Sequence, residues 1–222
     1  MMTEEAIRKS YQPDLAESIF VISHAENKQG IYLQFFKRAL DVVLAVVGLM
    51  LSSPVIAIFT IAIILETTGP AFYKQERVGL MGRSFSVIKL RSMVKNAEKN
   101  GIQWAEKNDS RVTKVGAFIR KTRIDELPQL WNVIKGEMSI VGPRPERSHF
   151  TYQFNSEIPG FVNRLAVKPG LTGWAQINGG YDITPKQKLE LDMHYIERLS
   201  LRMDLLIMLK TVRVIITGEG AR

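Results

Sequence analysis

Cysteine is absent from the 222 residues. That absence removes disulfide frameworks, thiol catalysis and cysteine-ligated zinc or iron–sulfur centres, and it suits a reducing compartment without requiring one. Histidine is scarce too. His24, His149 and His194 are the whole supply, and none has a partner at metal-ligand or triad spacing, so histidine chemistry is not indicated. Met1 to Ser10 lack the apolar core of a cleavable secretion signal. Acidic residues are in deficit, 22 against 30 Lys and Arg, leaving a formal charge of +8. Such a balance implies an anionic partner, whether nucleic acid, an acidic membrane face or a phosphorylated substrate, and charge alone does not choose. The length suits one domain, or two small units, with a core of its own.

Apolar residues are concentrated in one run. From Val42 to Leu65 nearly every side chain is apolar, and about 20 such residues suffice to cross a bilayer as a helix. Near the middle stand Ser52, Ser53 and Pro54. Proline deletes one helical hydrogen bond, serine hydroxyls can satisfy the freed carbonyl, and a bend is the simple expectation. Lys28, Lys37 and Arg38 precede the run and Lys74, Arg77 and Arg83 follow it. This tie gives a crossing helix no direction and favours one that enters, breaks at Ser53-Pro54 and returns, with a bent spanning helix as the alternative. Asp41 at the edge of the run needs a partner, and Arg38 is at helical spacing. Tyr32, Phe35 and Phe36 beside Lys37 and Arg38 are an aromatic and basic pairing suited to the headgroup region or to an ordinary amphipathic turn.

Past Gly69-Pro70, the segments from Ala71 and from Arg83 read as two short strands around a glycine-rich turn at Gly79 to Gly82. Alternation puts Lys89 and Arg91 on one strand face, where a phosphate or plain solvent is served equally well. Asn96 to Ser110 are polar and read as a loop or frayed helix. Val115, Phe118 and Ile119 then mark a helix leading to Asp125 and Glu126. Leu127, Leu130, Trp131 and Ile134 follow at i, i+3, i+4 and i+7, which predicts a helix starting at the acidic pair, capped by Thr122 or by Asp125 itself, with Pro128 in its first turn. A helix N-terminus would keep a carboxylate ionised and dock a phosphate beside it; an Asp-Glu pair there, seen alone, is more often the ordinary cap. Arg120, Lys121 and Arg123 precede the pair, and Arg144 sits between Pro143 and Pro145, stiffened for bidentate phosphate contact.

Lys168 to Gly180 are rich in glycine around Trp174. Gln176 and Asn178 there can read a base or sugar edge, or the stretch is a tight turn over a core tryptophan. Leu189 to Ile196 and Leu199 to Thr217 read as helices. In the second, Arg202, Lys210 and Arg213 oppose Leu205, Met208, Leu209, Val212 and Ile216, as in an interfacial helix or a core-packing one.

The string D-E-L-P-Q-L-W-N-V-I-K-G-E-M-S-I-V-G-P-R-P from Asp125 resembles the signature of the bacterial sugar transferases, also called monotopic phosphoglycosyl transferases. K-R-A-L-D at Lys37, Q-E-R-V-G at Gln75, K-L-R-S-M at Lys89 and K-P-G-L-T-G-W-A-Q-I-N-G at Lys168 are similar in family order, over about residues 35 to 220. Several long matches in sequence are far more specific than one short motif. The resemblance implies transfer of a sugar phosphate from a UDP-sugar to undecaprenyl phosphate, a polyprenyl phosphate. Asp125 would be the nucleophile, forming an aspartyl-phosphosugar as UMP leaves, and Glu126 would hold Mg2+. Lys89, Arg91, Arg120 and Arg144 would bind phosphate, with Gln176 and Asn178 as weaker nucleotide-sugar candidates. Ser53-Pro54 resembles the family's break in a re-entrant helix-break-helix. The fold so implied is α+β and mainly helical: residues 1–34 a cytosolic lead-in, 35–68 the membrane helix, 69–222 a catalytic domain with a short β-hairpin and interfacial helices. The expected setting is the cytosolic face of the bacterial inner membrane, with downstream glycosyltransferases as possible partners and no nucleic acid. The alternatives are a membrane-anchored module binding nucleotides or nucleic acid without catalysis, and a bitopic scaffold.

Overall fold

The computed structural model describes residues 35–99, 101, 109–179 and 183–217. The lead-in 1–34, the middle of the polar segment 96–110 and the side chain of Ile216 lie outside them.

The apolar run forms α1 (Lys37–Glu66), the one helix among the described residues long and apolar enough to cross a membrane. It continues through Pro54, where the sequence predicts a break. The reason is local. Pro54 cannot donate to the carbonyl of Met50, and the Ser53 hydroxyl donates to that oxygen instead, at 2.9 Å. Met50 and Leu51 at the centre are 70% and 76% exposed. Both ends of α1, by contrast, are fastened to the rest of the molecule. Lys37 Nζ donates to Asp204 at 2.6 Å and to the carbonyl of Val141 at 3.0 Å. At the other end Glu66 accepts from the amides of Lys114 and Val115. The predicted Arg38–Asp41 pair does not form. Arg38 instead donates to the carbonyls of Val133 and Ile134, while Asp41 accepts from the Ser139 hydroxyl and the Ile140 amide. Each side chain is instead held by groups on other elements, Arg38 by α-helical carbonyls and Asp41 by the start of a strand.

The expected hairpin is present. β1 (Phe72–Val78) pairs antiparallel with β2 (Ser84–Leu90), Phe72 opposite Leu90 and Val78 opposite Ser84. A 3-10 turn, Leu80–Gly82, joins them. α2 (Lys114–Lys121) starts where the Thr113 side chain accepts from the amide of Gly116. It buries Ile119 with Ile63 of α1, Ala71 and Leu90, and leaves Phe118 outside, stacked on Phe59 at 5.5 Å.

A 3-10 segment, Ile124–Gln129, leads into α3 (Leu130–Lys135) and β3 (Ser139–Val141). α4 (Ser148–Glu157), a 3-10 segment Phe161–Ala166, β4 (Gly170–Thr172), α5 (Trp174–Asn178), α6 (Pro185–Glu197) and α7 (Leu201–Thr217) complete the order. β3 and β4 pair in parallel, Ser139 with Gly170 and Val141 with Thr172, a contact the sequence reading lacks. Gly142 and Gly170 make it possible, because a Cβ on Gly170 would stand 2.1 Å from the Gly142 nitrogen. α6 begins before the predicted Leu189, since Thr184 and Gln187 form a capping box with Pro185 in the first turn. In α7, Asp204 and Ile207 face inward, while Leu201, Leu205, Leu209 and Val212 face outward. The whole is α+β and mainly helical.

Candidate active site

The acidic pair does not begin an α-helix. Thr122 closes α2, its hydroxyl donating to the Phe118 carbonyl at 2.8 Å, and Arg123 takes a left-handed conformation with φ 60°. Asp125 and Glu126 then lie in a 3-10 turn, where Pro128 has no N–H to continue an α ladder. Three residues per turn shift the azimuth, so Leu130 and Val133 are buried and Trp131, expected inside, is exposed. What fixes the turn is Asn132, wholly buried in α3. It accepts from the amide of Ile88 and donates to the carbonyl of Ser86, clamping the segment after the acids to the strand that carries Lys89.

The two carboxyls have opposite surroundings. Burial alone would raise the pKa of Glu126, but Arg144 and Lys89 outweigh it and hold this carboxyl well below the ordinary range. Arg144 binds Glu126 through both guanidinium nitrogens, and Lys89 Nζ is 3.0 Å from Oε1. Asp125, 7% exposed, makes no hydrogen bond or ion pair among the described residues. Burial, then the charge of Glu126, pushes its pKa up to about 6. The expected α-helix dipole is absent at this 3-10 turn, and burial beside Glu126 raises the pKa of Asp125 instead. Above about pH 6 it is a carboxylate stripped of solvent and of partners, which is the state of a nucleophile.

Both acids line a cavity of about 780 Å3, the size range of a nucleotide-sized ligand. Ten Lys and Arg side chains line it against four carboxylates. Of the residues singled out from sequence, Lys89, Arg91, Arg120, Arg144, Gln176 and both acids reach its wall. Arg91 reaches it from just past the end of β2, and its guanidinium also donates to the carbonyls of Thr67 and Thr68, which follow the last turn of α1. Asn178 is not in the wall. It is exposed and bonds back to the Trp174 carbonyl. Gln176 is the better placed of that pair, both its amide atoms being buried with no hydrogen-bond partner.

The loop carrying Arg144 is held one carbonyl at a time. Pro143 O accepts from the amide of Gly170, Arg144 O from Arg164, Pro145 O from Arg77 and Glu146 O from the amide of Val78. Arg77, Arg164 and Lys188 went unnoticed as site residues in the sequence. Arg77 stands in a quoted family match, but nothing in the spacing marks Lys188, which pairs with Glu146, or Arg164, which pairs with Asp192 at 2.7 Å. Together they pull Glu146 down to about 2 against the effect of its burial and keep it charged.

Residues 32–218 match the family described as bacterial sugar transferase. The chain belongs to the bacterial sugar transferase family. A protein of Aeromonas hydrophila named UDP-N-acetylgalactosamine-undecaprenyl-phosphate N-acetylgalactosaminephosphotransferase is 48% identical over 191 residues, covering 85% of this chain and 45% of the relative. Two proteins named UDP-glucose:undecaprenyl-phosphate glucose-1-phosphate transferase are also similar. That of Caulobacter vibrioides is 40% identical over 83% of this chain and 71% of its own length, and that of Escherichia coli (strain K12) 43% identical over 81% and 40%. The chain thus spans under half of two of these relatives and about seven tenths of the third. For this bacterial sugar transferase, the magnesium site implied by resemblance meets two adjacent carboxylates beside a nucleotide-sized cavity, and magnesium takes few protein ligands when phosphates supply the rest. Among the described residues no three His, Asp or Glu side chains are grouped to hold a metal ion, and both oxygens of Glu126 face Arg144 and Lys89, so a cation there would share or displace a basic partner.

Proposed function

We propose that this chain transfers a sugar 1-phosphate from a UDP-sugar to undecaprenyl phosphate through a covalent intermediate on Asp125, an early step of glycan assembly. The observation that carries it is the contrast within the acidic pair: Asp125 buried, unpaired and facing a cationic cavity, Glu126 beside it fully paired. In the first step a carboxylate oxygen of Asp125 attacks the sugar-bearing phosphorus, the bond to the α-phosphate breaks, and UMP leaves with that electron pair. In the second, a phosphate oxygen of the polyprenyl acceptor attacks the same phosphorus. The acyl phosphate bond breaks, and the Asp125 carboxylate is regenerated.

Attack of one anion on another requires the phosphates to be neutralised and aligned. Lys89 and Arg144 are held next to the reacting carboxylate by Glu126, and Arg120 faces it from the end of α2. Bound at Glu126, Mg2+ would supply charge neutralisation for the diphosphate. The names of the relatives, which cite UDP-N-acetylgalactosamine or UDP-glucose and undecaprenyl phosphate, support this reading.

The same reading puts the catalytic body on the cytosolic side of the inner membrane, with α1 re-entering one leaflet and the outward leucines of α7 at the interface. The attachment of both ends of α1 to one body supports it, as do exposed Leu205 and Leu209. The test is UMP release from UDP-sugar with no lipid acceptor present. The full chain should release UMP and gain the mass of a phosphosugar, and Asp125→Asn should do neither. Unchanged UMP release by that variant would remove Asp125 as the nucleophile, and no release by the full chain would return it to the class of membrane-anchored binding modules.

A further inference from the structure

A second cavity, of about 180 Å3, opens at the N-terminal end of α1 and shares no lining residue with the large one. Lys37, Arg38, Asp41 and Lys168 are its charged walls. Lys37 is neutralised by Asp204 at 2.6 Å. Arg38 is bound only to the neutral carbonyls of Val133 and Ile134, so its charge stays uncompensated. Lys168 makes no hydrogen bond or ion pair among the described residues. The two cations flank Gly136, whose Cβ position is 3.3 Å from the Arg38 guanidinium and 3.8 Å from Lys168 Nζ.

The catalytic assignment gives Lys168 no work, yet the fold holds it on a stiff frame. It precedes Pro169, whose carbonyl accepts from the amide of Ser139 at 2.8 Å, and its own carbonyl lies against Gly142. Partial burial, then Arg38, lowers its pKa, so holding it here as a cation has a cost that a bound anion would remove. With Lys37 cancelled by Asp204, Arg38 and Lys168 stand against Asp41 alone. One positive charge is left over, matching a phosphodiester and not a dianionic monoester. The cavity is small for a nucleotide. Its position adds the second half of the ligand: Phe35 and Phe36 are 70% and 65% exposed just before Lys37, and exposed Val43, Val46 and Val47 follow along α1. Cations beside an aromatic pair and an apolar stripe are arranged as at the phosphate level of a bilayer.

We infer that this cavity is a binding site for the phosphodiester headgroup of an anionic membrane phospholipid, held by Lys168 and Arg38 apart from the catalytic cavity. The test titrates phosphatidylglycerol onto the full chain in non-ionic detergent and counts bound lipid by native mass spectrometry. The full chain should retain one lipid tightly. Lys168→Met, which keeps the aliphatic stem, should weaken retention roughly tenfold, the loss of one charge-assisted contact. Lys168→Arg should preserve retention, and exposed Lys135→Met should behave as the unaltered chain. UMP release in detergent should be unchanged in all three. Should Lys168→Met fail to fold, Lys168→Gln takes its place in the comparison with Lys168→Arg. Equal retention by the neutral variants overturns the inference. So does displacement of the lipid by millimolar inorganic phosphate, which would mark a free-phosphate site, or by undecaprenyl phosphate, which would make the cavity part of the acceptor path.

Discussion

At the scale of single residues, what distinguishes Asp125 is that its neighbour takes the partners. Glu126 draws Arg144 and Lys89 to itself, and Asp125 is left buried with a raised pKa of about 6. Two consequences have opposite signs. The proposed nucleophile is the ionised form, so UMP release should fall as pH drops through about 6, with about one tenth of the molecules competent at pH 5. Stability runs the other way. An acid whose pKa is higher folded than unfolded binds more protons in the folded state, so stability declines as pH rises from about 4 to about 6 and stays low above that. The cost at neutral pH is on the order of 3 kcal/mol. Asp125→Asn should therefore unfold at the same temperature as the parent or a few degrees higher at pH 7.5, while being inactive. Thermal unfolding in detergent checks this, and a large loss of stability would mean that Asp125 has a structural partner.

At the scale of elements, the site depends on a clamp between α3 and β2. Asn132→Ala should remove the side-chain partner of the Ile88 amide and of the Ser86 carbonyl, at about 2 kcal/mol together. Denaturant unfolding measures that loss; a change under about 1 kcal/mol would show that water or a backbone shift replaces the amide. The clamp also shows why the sequence was only partly legible. The hairpin, α2 and the long apolar helix follow from periodicity and turn chemistry, which are local. The 3-10 turn at the acidic pair does not, because the i, i+3, i+4 spacing of Leu127, Leu130 and Trp131 is what an α-helix would show, and only the long-range bonds of Asn132 and the missing N–H of Pro128 decide against it. Likewise strand alternation brings Arg91 toward the cavity wall but says nothing of its bonds to the open carbonyls of Thr67 and Thr68 beyond α1. Residues of the cavity wall were legible where a short motif carries them, as with Asp125, Glu126 and Arg144. Lys188 and Arg164 were not, since their partners Glu146 and Asp192 lie 42 and 28 positions away.

At the scale of the whole molecule, the question is how one body can hold both ends of a helix that is apolar enough to enter a membrane. A straight helix of 30 residues is about 45 Å long, more than the roughly 30 Å of bilayer hydrocarbon. Were α1 to span, one end would emerge on the far side, and the charged groups bound to it would have to cross the hydrocarbon as well. At one end those groups are Asp204 and the α3 carbonyls; at the other they are Arg91 and the first turn of α2. Placing either set in lipid costs several kcal/mol per charge, whereas entry and return through one leaflet, with α1 bending at Ser53-Pro54 on insertion, would leave all of them in water. The absence of cysteine makes the test clean. Phe35→Cys and Thr68→Cys, at exposed positions flanking α1, should both resist a membrane-impermeant maleimide in intact spheroplasts and both react in inverted inner-membrane vesicles. Labelling of one of the two from the outside would establish a spanning helix, and with it a body that cannot bind both ends at once.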